Sequence, residues 1–533
     1  MMSHAKSIML DASLEWNVKK SKVIELKRGA VNTTAGDLIL KDGSKIECLK
    51  DEETYKFLGI PEREEHDVRN IVDTLHNTIR RRANVVWTSP LSDVNKVVAT
   101  NIFVQSCAEY FMWTQSINIL DLRKMDECIR DVMNRNNSKY SLQINSSLYL
   151  RRNKGGRGLK NMEMNYKCTK IKTAIKILND VDPKMVLVRK FDMLRKERLR
   201  KSVINDAIQY SKNDFDAKLS VNGNDFTFEF KKDDNSKITN EYHVVAEYLK
   251  EKIDLKFEEN LKNSTWQGLL INERLHDDQI NMKECFFWNF KWKTCSTEFV
   301  NDIQSIYLQT VPTLTFKKFR GGENITYTNC RICKKNEAES IRHILSHCEG
   351  FLRTFYKIRH DKVLQHILYN FLHKRKIIEK CPPWYSKVEI KSKYEDDDIT
   401  LLWDIPEYSG KEDEEEEKTL RPDGKLIMKK EKTIYVLEQT IPWTTNRNAG
   451  MEIKENKYRN IIRSIKLSYP DHEVHQLTFI IDCLGGYGPS LKDNISKLGF
   501  TKEEINKILT GIQKIVMSEA RRTVNHFKML TNL

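Results

Sequence analysis

The 533-residue chain lacks what would send it into a membrane or a secretory route. No run of about 18 apolar residues occurs, so no membrane-spanning helix is expected. Met1 to Leu14 has no long apolar core behind a basic start, so it does not read as a secretory signal. A disulfide framework is missing as well. The 11 cysteines are odd in number, and Cys48, Cys107, Cys128, Cys168 and Cys285 stand singly in helical or strand patterns, a usage that suits a reducing compartment. Nor is this the composition of a disordered chain, because 31% charged and 9% aromatic residues leave material for real cores. The length admits several domains. Acid is in short supply relative to base: 75 Asp and Glu stand against 90 Lys and Arg, a net charge of +15. That excess points to a polyanionic partner, nucleic acid foremost.

One stretch carries most of the chemistry. Leu426-Ile427-Met428, a charged turn over Lys429-Lys430-Glu431-Lys432, and Ile434-Tyr435-Val436-Leu437 make a β-hairpin pattern. In an antiparallel hairpin, residues equidistant from the turn centre face each other. Centred between Lys430 and Glu431, that symmetry sets Asp423 opposite Glu438. Two facing carboxylates can hold a divalent cation such as Mg²⁺ through oxygen. A lysine on the helix that follows would complete a hydrolytic centre. Lys454, Tyr458, Ile461 and Ile465 share one helical face, which directs Lys454 toward the carboxylates. Lys457, four residues after Ile453, remains open as the alternative. Asp423, Glu438, Lys454, Lys457 and Tyr458 are therefore the candidate catalytic residues, with a solvent-exposed hairpin bearing ordinary surface charges as the plainer alternative.

The second signal is Cys330-Arg-Ile-Cys333, then His343, then Cys348. Two close cysteines on a turn, followed by His and Cys on one helical face, match a tetrahedral zinc site. Four protein ligands leave no open position, so Zn²⁺ here would be structural. His347 competes for the fourth place, but it directly adjoins Cys348.

Elsewhere the chain reads as a multidomain α+β protein. Residues 1–62 are a small α/β piece. Residues 63–210 are helical and include the basic glycine loop Arg151-Arg152-Asn153-Lys154-Gly155-Gly156-Arg157-Gly158, whose backbone N–H and guanidinium groups are expected to face phosphate unless it is an ordinary turn. Residues 211–325 form a linker module, in which the basic and aromatic stretch Lys317-Lys318-Phe319-Arg320 could stack on single-stranded bases but is expected to be buried core. Residues 326–350 are the knuckle. Within 351–533, a helix from Arg353 to Phe371 carries His360, expected to cap the core in preference to approaching a phosphate, and Asp361, a possible extra metal ligand. An acidic insertion spans about 382–418, and its runs Glu395–Asp398 and Glu412–Glu417 are expected to be solvated and mobile.

Several of these stretches together resemble a known family. Asn17-x-x-Lys20-Ser21 and Tyr55-x-Phe57-Leu58-Gly59 resemble the late palm of non-LTR retrotransposon reverse transcriptases, and Gly155-Gly156-x-Gly158-Leu159 resembles their thumb. The knuckle resembles the Cys-Cys-His-Cys motif of the site-specific elements. Pro422-Asp423, Glu438 and a following lysine resemble the restriction-like PD-(D/E)xK nucleases. Thr440 stands where the usual lysine would be, and the displaced lysine of Ile453-Lys454-Glu-Asn-Lys457-Tyr458 is the form found in the endonuclease of those elements. Phe479 to Gly488 is similar to the family's closing strand and Gly-rich turn. The resemblance implies the C-terminal part of a reverse transcriptase/endonuclease polyprotein acting in the nucleus: a truncated palm, a helical thumb, a zinc knuckle and an α/β PD-(D/E)xK-like domain. It implies target double-stranded DNA and the element RNA as partners, with Lys20, Arg151, Arg152, Lys154 and Arg157 on nucleic acid. It implies nicking of the target, whose 3′-hydroxyl primes copying of the RNA. The polymerase's Tyr-x-Asp-Asp turn belongs upstream of Met1, and Tyr394-Glu395-Asp396-Asp397 reads as a chance match. A non-catalytic nucleic-acid-binding remnant is the alternative.

Overall fold

The computed structural model describes residues 2–531 apart from 15–16, 29, 33–34, 41–42, 51–52, 63–66, 199, 223–224, 233–234, 281, 322–323, 387, 389–390 and 407–420. The fold is mixed α+β, and two compact units are each gathered from separate stretches of chain. Residues 1–88, 99–133 and 160–251 make the first; residues 89–98, 134–159 and 252–533 make the second. The segment read as one linker module, 211–325, thus contributes to both.

The first unit starts with short two-stranded pieces, among them Leu38–Ile39 paired with Lys45–Ile46, and Tyr55–Phe57 with Ile60–Glu62. Helices follow. Val68–Thr88 buries Ile71, Leu75, Ile79 and Ala83, one residue per turn, so a single stripe meets the core. Asp192 closes the start of a later helix, Val203–Phe215, by accepting the Val203 and Ile204 amides at 3.0 Å. A three-stranded antiparallel meander, Ala217–Asn222, Asp225–Lys232 and Asn235–Thr239, completes the unit. Phe226, Phe228 and Phe230 alternate onto its buried face, where Phe228 and Phe230 pack against Tyr248.

The second unit is built on a five-stranded sheet in sequence order: β1 (Lys393–Glu395), β2 (Ile399–Trp403), β3 (Gly424–Met428), β4 (Thr433–Thr440) and β5 (Glu473–Ile480). The first four run antiparallel, and β5 lies parallel to β4. A parallel neighbour needs a crossover. Two helices supply it, α2 (Arg447–Lys457) and α3 (Arg459–Ser468). One face of β4 sends Ile434 and Val436 against Tyr458, Ile461 and Ile465. The other sends Leu437 into the large core formed with α1 (Lys357–Lys374) and the C-terminal α5 (Lys502–Leu530); a short helix, α4 (Pro489–Ser496), packs on β5. A capping box opens α5: Thr501 accepts the Glu504 amide, and Glu504 accepts that of Thr501.

The acidic run Glu395–Asp398 is solvent-facing, as expected, but it is a hydrogen-bonded turn between strands and not an open loop. It forms the β1–β2 turn, where Asp396 accepts the Asp398 and Ile399 amides at 2.8 and 2.7 Å, Lys393 and Lys429 hold Glu395, and Lys430 holds Asp398. The reason is local: an aspartate that bonds amides two and three residues on makes a turn rather than repelling its neighbours. Glu412–Glu417 lies outside the described residues.

Beyond β5 a buried ion-pair cluster fastens the crossover. Asp482 takes both Arg274 amino groups at 2.5 and 2.6 Å, Arg447 at 2.9 Å, and the Leu484 and Gly486 amides. Arg447 also pairs with Asp277. Gly486 has no room for a side chain, since a Cβ there would lie 1.9 Å from the Arg274 guanidinium. Arg447 is the first residue of α2, so this cluster pins the helix that carries Lys454.

Candidate active site and metal centre

The β3–β4 register pairs Gly424 with Leu437 around a turn over residues 429–432. One step further, Asp423 stands beside Glu438, and its amide donates to Glu438 Oε1 at 3.3 Å. Glu438 has the same parity as Ile434 and Val436, so it points at the crossover helices. There Lys454 Nζ donates to Glu438 Oε2 at 2.6 Å. Lys457 does not reach the carboxylates: its ammonium lies 2.9 Å from the Tyr458 hydroxyl and over that ring. The buried Tyr458 donates to the Arg421 carbonyl at 3.0 Å.

A fifth group, His360 on the first turn of α1, meets this cluster. Its Nε2 is 3.2 Å from Asp423 Oδ2 and 2.9 Å from the Gln439 carbonyl, and its Nδ1 is 3.0 Å from Asp361. His360 therefore does not serve as the plain core cap expected of it. The helix was visible in the sequence, but nothing local says that it crosses the end of β4, 79 residues away. Asp361 turns its carboxylate to His360.

The charges are set by one another. Burial pushes the His360 pKa down, but Asp361 and Asp423 outweigh it and raise it to about 10, so the ring is an imidazolium. Burial likewise works against an ionised Asp423, yet the His360 bond and charge bring its pKa below the ordinary carboxylate value. Glu438 goes the other way, raised by burial and then by the Asp423 charge, against the pull of Lys454. Two carboxylates sharing a low-dielectric site are thus pushed apart in acidity. Two cations, His360 and Lys454, balance them. Carboxylate oxygens are the preferred ligands of Mg²⁺, which typically takes one or two from the protein and completes its shell with water and phosphate.

Cys330, Cys333, His343 and Cys348 come together with their ligand atoms within 4.8 Å of one another, a cluster that could hold a metal ion such as zinc. Two of the six edges match those of a tetrahedral zinc site. A tetrahedron with Zn–S near 2.3 Å and Zn–N near 2.05 Å has S···S edges of about 3.8 Å and S···N edges of about 3.5 Å. Cys330 and Cys348 sulfurs are 3.8 Å apart, and Cys333 Sγ is 3.4 Å from His343 Nε2. His343 Nδ1 sits 2.7 Å from Glu337, the outer carboxylate partner that orients a ligating imidazole. Ser340 caps the short helix bearing His343, accepting the His343 amide at 3.2 Å. The competing His347 is exposed and outside the cluster.

The basic glycine loop requires correction. Arg157 is fully buried against Asp93, which also takes Arg152 at 2.8 Å. Arg151 pairs with Asp254, and Lys154 with Glu258. The amides are used as well, those of Lys154, Gly155, Gly156, Arg157, Gly158 and Leu159 all donating to nearby carbonyls. Gly155 and Gly158 adopt φ of 89° and 77°, and a Cβ on Gly156 would collide with Leu150. The glycines serve a tight turn, and the cations neutralise acids distant in sequence. Lys20 is exposed on a short 3₁₀ turn closed by Asn17. Tyr394–Asp397 falls on β1 and the acidic turn already described.

No protein-family model matches the chain, and no curated protein matches it.

Proposed function

We propose that this chain is a metal-dependent endonuclease that nicks duplex DNA, of the restriction-like kind carried by site-specific non-LTR retrotransposons. The observation that carries this reading is the convergence of Asp423, Glu438, Lys454 and His360 on one half-buried site at the end of a hairpin. Bound Mg²⁺ would activate water and offset phosphate charge. Asp423 and Glu438 would hold that cation. Lys454, fixed by the Arg447 cluster at the head of its helix, offers positive charge where negative charge develops on the phosphate. His360 holds Asp423 in place. Lys457 acts through Tyr458, whose ring packs on the strand that bears Glu438. The Cys-His cluster would hold a structural Zn²⁺ with all four positions filled. The +15 charge suits a DNA target and an element RNA, encountered in the nucleus. The nick would leave a 3′-hydroxyl to prime copying of that RNA. No polymerase centre is proposed within these 533 residues.

The test is nicking of supercoiled plasmid by purified protein with Mg²⁺. Nicked circles are expected from the wild type and not from Asp423→Ala. Tight DNA binding without nicking, indifferent to Asp423→Ala, would leave the non-catalytic binding protein as the correct reading.

A further inference from the structure

The short helix Leu314–Arg320 ends in Lys317-Lys318-Phe319-Arg320, a stretch the catalytic reading does not use. Its two phenylalanines behave differently. Phe316 is buried, 6.0 Å from the Trp266 ring centroid. Phe319 stacks on Trp266 at 4.6 Å with 23° between planes, yet is 51% exposed. The three rings thus lead from core to surface. The indole N–H of Trp266 donates to the Gln309 carbonyl at 2.9 Å, which fixes the ring beneath Phe319. Lys318 and Arg320 are exposed in the same turn.

This helix hangs from the metal cluster. Buried Glu339 accepts the Leu314 amide at 3.0 Å on its carboxylate and the Thr315 amide at 3.3 Å on its carbonyl. The Glu339 amide donates to the Thr328 carbonyl at 2.7 Å, and Asn329 bridges Ala338. Tyr327, 79% exposed, therefore leads into the other strand-like segment held by the same glutamate. Arg331 fixes that carboxylate through two bonds, at 2.7 and 3.0 Å.

We propose that Phe319 on its Trp266 base, with Lys318 and Arg320, is a docking surface for single-stranded nucleic acid. The proposal rests on the reading that the chain works on nucleic acid. An exposed ring backed by a fixed second ring offers a π-face that any unpaired base can cover, and the neighbouring cations meet the phosphates on either side. A duplex offers no free base face, so the surface selects unpaired strands.

The probe is a fluorescein-labelled oligothymidylate of about twelve nucleotides, read by anisotropy on the full chain, with bound zinc measured in parallel. Phe319→Leu keeps an apolar contact on Trp266 but removes the π-face, and should weaken binding about tenfold. Phe319→Trp should bind as the wild type does. Duplex of equal length should be bound equally by the wild type and Phe319→Leu. No oligothymidylate binding by the wild type, unchanged binding by Phe319→Leu, or equal loss in Phe319→Trp overturns the proposal; the last result would assign Phe319 to packing. The nuclease reading fails separately: a protein that binds oligothymidylate through Phe319 and nicks no plasmid retains this surface and loses that activity.

Discussion

Replacing Lys454 by Met isolates the charge balance of the candidate site. Glu438 is fully buried, and Lys454, 23% exposed, is its one cationic partner at hydrogen-bond distance among the described residues. Met keeps most of the aliphatic stem, so the packing of α2 is largely retained. Breaking a buried ion pair costs about 3–5 kcal/mol because the remaining charge is stranded. One donor stays on Glu438, the Asp423 amide, and solvent reaches the Lys454 position, which brings the cost to about 2–3 kcal/mol. For a unit of about 300 residues, each kcal/mol moves Tm by about 2 °C, so a fall of about 4–6 °C is expected by calorimetry in chelator. The sign of the pH dependence follows from Glu438, whose folded pKa already lies above its unfolded value. Such a carboxyl costs stability as pH rises from its unfolded toward its folded pKa, and loss of Lys454 raises the folded value further, so the deficit should grow with rising pH. The variant site also keeps two carboxylates against the single His360 cation. Added Mg²⁺ should therefore raise Tm more in Lys454→Met than in the wild type, by mass action on the folded state. Equal melting of the two proteins in chelator, together with equal Mg²⁺ shifts, would refute this account of how Glu438 is held.

Two further outcomes are expected. Cys330→Ser should reduce bound zinc, measured by atomic emission, to near zero and make residues 326–350 sensitive to protease; unchanged metal content would remove the tetrahedral assignment. In the first unit, burial raises Asp126 to about 7, although it accepts Asn161 and the Met162 amide at 2.8 and 3.0 Å. A carboxyl raised in the folded state contributes instability that grows as pH rises through that value. Asp126→Asn, which keeps an acceptor oxygen, should therefore stabilise above about pH 7 by at most about 4 kcal/mol and have little effect near pH 4. Stability curves of the two proteins that run parallel across that range would contradict this.

The parts of the site legible in the sequence were those set by short-range periodicity. A two-residue strand period and a four-residue charged turn determine which carboxylate meets which, and the helical period separates Lys454 from Lys457. Groups brought in by packing had no such signal. His360 reaches Asp423 because α1 crosses the end of β4. The basic loop looked like a phosphate cradle because Asp93, Asp254 and Glu258, which neutralise it, lie about 60 to 105 residues away from their partners. Phe319 carried a different ambiguity: composition suggested either core or contact surface, and only the stack on Trp266 shows one face covered and the other open. The acidic run Glu395–Asp398 is solvent-facing as its like charges suggest, and the turn it makes follows from the habit of Asp396 of bonding the amides ahead of it.

The cluster around Asp482 bears on where this chain can be cut. Arg274 and Asp277 precede the knuckle by about fifty residues, yet Arg274 helps neutralise Asp482 and Asp277 pairs with Arg447, the first residue of the helix bearing Lys454. A recombinant piece beginning at residue 326 would contain every candidate nuclease residue and still bury an aspartate with half its counter-charge removed. Residues 89–98 and 134–159 belong to the same unit. A clean C-terminal truncation therefore does not reproduce this unit: its excision would require retaining upstream segments, rejoined by linkers across the gaps they leave.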